Sequence, residues 1–132
     1  MRKPVRVLFL AVLAFALGTS SSRSAPGGCT NAQWLLPFDF ETITVSSTSI
    51  GFTSATWAPP GQPVADMAVV TLASNDVRYR ADGVAPTAAV GHVLASGGSV
   101  TACGAQSLNQ VRFIRVTSDG TLSVSYYRQV NP

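Results

Sequence analysis

The sequence predicts an all-β fold, an antiparallel β-sandwich of immunoglobulin-like or jelly-roll type with seven or eight short strands. Three observations carry this. Short runs of β-branched and aromatic residues succeed one another between Leu35 and Arg128. Gly, Pro and Asp-rich turn signals separate them. No run has the three-to-four residue apolar period of an amphipathic helix, which leaves packed sheets as the way to bury a core.

Leu35 to Ser46 (LLPFDFETITVS) reads as the first strand. Its apolar character switches from even positions (Phe38, Phe40) to odd ones (Ile43, Val45), so a β-bulge is expected near Thr42. Ile50 to Trp57 (IGFTSATW) reads as a second strand, ended by Pro59-Pro60-Gly61. Ala65 to Ala73 is mostly apolar, and Val69, Val70 and Thr71 favour a buried strand over a helix.

Val77 to Arg80 is expected to be its hairpin partner across Ser74-Asn75-Asp76. Period two puts Val77 and Tyr79 on one face, with Arg78 and Arg80 on the other. Asp82-Gly83 is a turn signal, and Pro86 stops the strand from running on as a central one. A Thr87 to Leu94 segment holding Gly91 and His92 follows. Ser99 to Cys103 is a short strand, Ser107 to Gln110 a connection and Val111 to Val116 a strand. Thr121 to Arg128 closes the fold, with Leu122, Val124 and Tyr126 on one face.

Three parts are expected: a signal-peptide-like leader over 1–22, a flexible linker over 23–33 and the sandwich over 34–132. Arg2, Lys3 and Arg6 precede an apolar run from Val7 to Leu17. That run is too short to span a bilayer, which takes about 20 residues, and it suits an export signal cut after Ala16 or Ser22. The alternatives are a lipoprotein carrying its lipid on Cys29, for which Pro26-Gly27-Gly28 is a poor approach, and a translation start further downstream.

The formal charge of +3 belongs to this leader. Beyond it, six arginines (Arg23, Arg78, Arg80, Arg112, Arg115, Arg128) balance six acids (Asp39, Glu41, Asp66, Asp76, Asp82, Asp119). The pI therefore gives no ground for a nucleic-acid partner. Charged residues are only 11% of the chain, against about 25% in an average domain. The polar surface must come from Ser, Thr, Asn and Gln.

No catalytic constellation stands out, and no metal or cofactor is expected. His92 is the single histidine and lacks the companions a zinc site needs. No serine sits in a G-x-S-x-G context. Asp39 and Glu41 read as a solvated strand edge. Asp66, Asp76 and Asp82 lack EF-hand spacing. Cys29 and Cys103 either pair, as export would allow, or leave Cys103 a small buried residue. Arg78, Tyr79, Arg80 and Trp57 are the candidate binding residues, since guanidinium and aromatic groups hold sugars and partner peptides. Trp34 shares the stacking chemistry, and for both tryptophans the plainer reading is a core or hairpin-end aromatic. For the arginines the plainer reading is structural pairing with Asp82 or Asp76. Asp82, Gly83 and Pro86 are the residues expected to shape the hairpin.

Several segments together resemble a family of small tailed-bacteriophage structural proteins. They are Arg78-Tyr79-Arg80, Asp82 to Thr87 (DGVAPT), Val90 to His92, Phe113-Ile114-Arg115 and Leu122 to Tyr126, with Ile43 to Trp57 before them. The likeness covers about Leu36 to Arg128. It implies a non-enzymatic virion component, a capsid decoration or tail-associated protein, whose partners are other virion proteins or further copies of itself. Assembly would then be in the host cytoplasm. Tyr79 through Thr87 is also similar to a hairpin of chitobiase C-terminal-like immunoglobulin-fold modules. That weaker likeness implies a sandwich and glycan binding. With a genuine leader, the alternative is an exported periplasmic or extracellular module that binds surface glycans or proteins.

Overall fold

The computed structural model describes Cys29 and residues 35–130. Apart from Cys29, the expected leader and linker lie outside the described residues, as does Trp34. Seven antiparallel strands form two sheets packed face to face. The four-stranded sheet contains β1 (Leu35–Val45), β7 (Gly120–Gln129), β2 (Met67–Ser74) and β5 (Ser99–Cys103), in that order. The three-stranded sheet runs β4 (His92–Leu94), β3 (Val77–Arg80), β6 (Arg112–Arg115).

Register explains the core. On the four-stranded sheet, Ile43, Leu122 and Leu72 share one inward row, and Glu41, Val124, Val70 and Val100 share the next. Tyr126, Ala68 and Ala102 share a third. Facing them, β3 and β6 contribute Val77, Tyr79 and Phe113. Phe52, Trp57 and Leu108 pack from outside the strands. Val45, Ala68, Val70, Leu72, Leu122, Val124 and Tyr126 have no solvent exposure, so the alternation read from β7 holds, and the apolar β2 segment is a strand that buries one of its faces.

Four expectations need correction. The strand over Ile50–Trp57 reduces to one bridge, Ile50 to Phe113, followed by the one-turn helix α1 (Ser54–Trp57). The Thr56 amide closes onto the Thr53 carbonyl, and the turn swings Trp57 into the core instead of along a sheet. The β1 irregularity falls between Pro37 and Asp39, not near Thr42. Placing the extra residue at Phe38 lets Phe38 and Ile43 both face inward while Phe40 stays outside, at 56% exposure.

The β2–β3 connection is no hairpin, because the two strands belong to different sheets. Asn75 takes a positive φ of 54° there and ties its side chain to the Asp119 carbonyl at 2.7 Å, which turns the chain from one sheet to the other. Finally, the connection before β6 is a short helix, α2 (Ala105–Gln110), which buries Leu108. No helix among the described residues is long and apolar enough to cross a membrane.

The two outer faces differ in chemistry. On the four-stranded sheet one outward row reads Thr42, Ser123, Thr71, Ser99, and the next reads Phe40, Ser125, Val69, Thr101. A third row holds Pro37, Tyr127, Met67 and Cys103. None of these side chains is charged. The outer face of the three-stranded sheet instead carries Arg78, Arg80 and Arg112, with Val93 and Ile114 between them.

Candidate functional site

The residues around Val77–Arg80 meet at one end of the sandwich, where the edge strands β4 and β5 leave the two sheets open. The inward side chains of the large sheet are small near β5: one row drops from Tyr126 to Ala68 and Ala102, and the next holds only the valines Val124, Val70 and Val100. With small groups at the edge, the sheets do not close. A cleft of about 270 Å3 remains, walled by Phe52, Phe113, Val111, Val100 and Ala102. Tyr79 and His92 stand over it with ring centroids 5.3 Å apart, because β3 and β4 pair them directly. Ser107 and the backbone stretch at Thr101 also border it.

An open groove of about 590 Å3 adjoins the cleft, lined by Arg80, Asp82, Val90 and Gly91. Ala81 and His92 line both. Behind the mouth the rings continue inward. Tyr79 lies 6.1 Å from Phe113, Phe113 lies 5.6 Å from Phe52, and Phe52 meets Tyr126 edge-on at 5.8 Å. These separations suit tilted and T-shaped aromatic contact.

The 81–91 loop gives the groove its shape. Asp82 accepts two hydrogen bonds from the Arg80 guanidinium and one from the Val84 amide. Gly83 takes a φ of 82°, the left-handed conformation expected after Asp82. Pro86 is buried against the loop, where a Cβ on Gly91 would lie 3.2 Å from it. The Thr87 and Val90 backbones exchange hydrogen bonds around Ala88-Ala89. Arg78 then fastens the whole loop: Nε donates to the Ala88 carbonyl and Nη1 to that of Gly91, each at 2.8 Å.

Electrostatics at the groove centre on Asp82. The hydrogen bond from Arg80 holds its carboxyl down at about 2 against desolvation, with smaller help from the Val84 amide and the guanidinium charge. The same bond raises Arg80. At the far end of the ring chain the Tyr126 phenol is pushed well above its ordinary range, first by burial and then by its hydrogen bond to the Glu41 carboxylate.

Of the sequence-predicted binding residues, the fold brings Tyr79 to the cleft mouth and Arg80 to the groove. Arg78 is engaged in holding the loop. Trp57 is not part of this surface; at 8% exposure it belongs to the core. Glu41, expected as a solvated edge carboxylate, instead accepts from Tyr126 and from the Thr53 amide. The three aspartates considered for calcium are held apart by separate partners: Gln129 N–H for Asp66, Ser96 N–H for Asp76 and Arg80 for Asp82. Among the described residues no three His, Cys, Asp or Glu side chains cluster as metal ligands. Cys29 and Cys103 form a disulfide with Cα atoms 5.5 Å apart.

Sequence reasoning missed Phe52, Phe113 and His92 as cleft residues. The one available signal was parity: Phe113 and His92 both fall opposite Tyr79 once β3 is central. No family model matches this chain, and neither a curated protein nor a solved structure does.

Proposed function

We infer that the chain is a non-enzymatic structural and interaction protein that docks through the outer face of its four-stranded sheet. The observation that carries this is the distribution of charge. Every acidic side chain from Asp39 to Asp119 accepts a hydrogen bond within the domain. Arg78, Arg80, Arg112 and Arg115 donate within it, and Arg128 lies over the Phe38 ring. Catalytic groups need free and matched acids and bases, whereas these are used in holding loops and strand ends.

The outer face of Phe40, Thr42, Tyr127, Val69, Thr71 and Thr101 is charge-free, so a partner pays little to desolvate it. This agrees with the resemblance to small tailed-phage virion proteins. Seven strands split four and three also match the count of a constant-type immunoglobulin domain better than an eight-stranded jelly roll. The last strand departs from that pattern by lying between β1 and β2.

Introducing charge at the centre of the face, as Ser125→Arg or Thr71→Arg, tests the reading. Particle binding or self-association measured by sedimentation should be lost while the melting temperature is kept. Unchanged association in both variants, or a gene placed outside any head or tail cluster, would overturn the corresponding part of the proposal.

The disulfide favours a second reading, an exported surface glycan- or protein-binding module, because such bonds persist in oxidising compartments. N-terminal sequencing separates the two: a start near Ala16 or Ser22 marks export, and an unprocessed chain marks cytoplasmic assembly.

A further inference from the structure

We propose that the cleft beneath Tyr79 and His92 is a binding site for a small aromatic carboxylate, with its ring between the sheets and its acid group in the adjoining groove. The cavity fits the ring. At about 270 Å3 it exceeds a cavity that takes benzene, roughly 150 Å3, so one or two fused rings can enter. Its walls are Phe52, Phe113, Val100, Ala102 and Val111, which offer apolar and edge-to-face contact and no charge. The hollow is built into the register, since Val70, Val100 and Ala102 are too small to fill it at the edge where β5 faces β3 and β4.

The rim decides the second half of the ligand. Asp82 has its oxygens engaged by Arg80 and the Val84 amide. Arg80 uses Nε and Nη2 on Asp82, and its Nη1 makes no hydrogen bond among the described residues. His92, exposed at the junction of cleft and groove, has no hydrogen-bond partner among them either. Arg80 Nη1 therefore leaves a charged donor unclaimed at the rim, and the complementary ligand supplies an acceptor. A carboxylate does this with charge-assisted bonds to a guanidinium. The site is independent of the uncharged outer face, which lies on the other side of the large sheet.

The test uses indole-3-acetate, with indole and acetate as its two halves, titrated into isotope-labelled protein and followed by NMR. Indole-3-acetate should shift signals of Tyr79, His92, Ala102 and Phe113. Indole should bind at the same place more weakly, and acetate alone should not. Val100→Phe fills the cleft and should weaken indole-3-acetate by at least about tenfold. Ser107→Phe, at the lip, decides the matter if Val100→Phe does not fold. Arg80→Gln should weaken indole-3-acetate and leave indole unchanged. Absence of shifts at millimolar probe, or binding that survives a folded plug variant, overturns the site. Equal affinity for indole-3-acetate in Arg80→Gln overturns the carboxylate assignment.

Discussion

The Tyr126 phenol donates to the Glu41 carboxylate across 85 residues of sequence, and the same carboxylate accepts the Thr53 amide at 3.0 Å. Glu41 thus joins the inner end of the ring chain, the first strand and the entry to α1. A carboxylate on an inward row is tolerated because two donors meet it.

Tyr126→Phe should cost about 1.5–3 kcal/mol, the range for a hydrogen bond to a charged group. Glu41→Leu in the same background should then cost less than in the wild type, because the two residues act as one unit. Chemical denaturation of the four proteins of the cycle measures this. Additive losses would show that the bond contributes nothing.

The same pair sets an alkaline limit. Folding raises the Tyr126 pKa above its ordinary value of 10.0, chiefly by burial. The raised value means that this stability is complete below about pH 10 and is lost as pH rises beyond it. Melting temperature should fall above that point in the wild type and fall less steeply in Tyr126→Phe. Parallel curves would contradict the assignment.

Asp82 gives the opposite sign. Its folded pKa of about 2 lies below the ordinary 3.8, mainly through the Arg80 hydrogen bond. Order in the loop start is therefore present above 3.8 and lost as pH falls toward 2. NMR titration of the Asp82 carboxyl should give a midpoint near 2, and Arg80→Ala should return it toward 3.8. Both groups are exposed, so global melting at neutral pH should change little. A wild-type midpoint at the ordinary value would remove the pair from the account.

Much of this fold was legible in the sequence. Leu122, Val124 and Tyr126 alternate with Ser123 and Ser125, and the structure buries the first set. Arg78 and Arg80 do face away from Val77 and Tyr79. What failed was whatever depended on distant neighbours. A one-turn helix such as α1 has too few residues to show a period, and Thr53, Phe52 and Trp57 read equally well as strand. The exchange of sheet between Ser74 and Val77 looks like a hairpin turn locally. The cleft arises from the sizes of Val100, Ala102 and Val111 set against Tyr79, residues that only the two-sheet packing brings together. Glu41 could not be distinguished from Asp39 until β7 placed Tyr126 within reach.

Arg78 should matter more to the fold than Arg80. Its two 2.8 Å bonds to the Ala88 and Gly91 carbonyls anchor the 81–91 loop, and a lysine has no planar fork to reproduce them. Arg78→Met should destabilise by about 1.5–3 kcal/mol and Arg78→Lys by nearly as much. Gly91→Ala attacks the same anchor from the other side, because φ is 132° and the new Cβ would sit 3.0 Å from the Tyr79 carbonyl. It should cost about 1–3 kcal/mol. Denaturant midpoints equal to that of Arg80→Ala would show that the loop is held by other means.

The disulfide offers the last measurement. Cys29 and Cys103 are separated by 74 positions, and closing so long a loop restricts the unfolded chain by about 4 kcal/mol in the chain-entropy model. Cys29→Ser, Cys103→Ser and reduction of the wild type should therefore each lower stability by a similar amount, about 2–5 kcal/mol, and should not add. The urea m-value should rise in all three, because an uncrosslinked chain exposes more surface when unfolded. An oxidised wild type and a Cys103→Ser variant with the same midpoint and the same m-value would show that the bond does not constrain this domain.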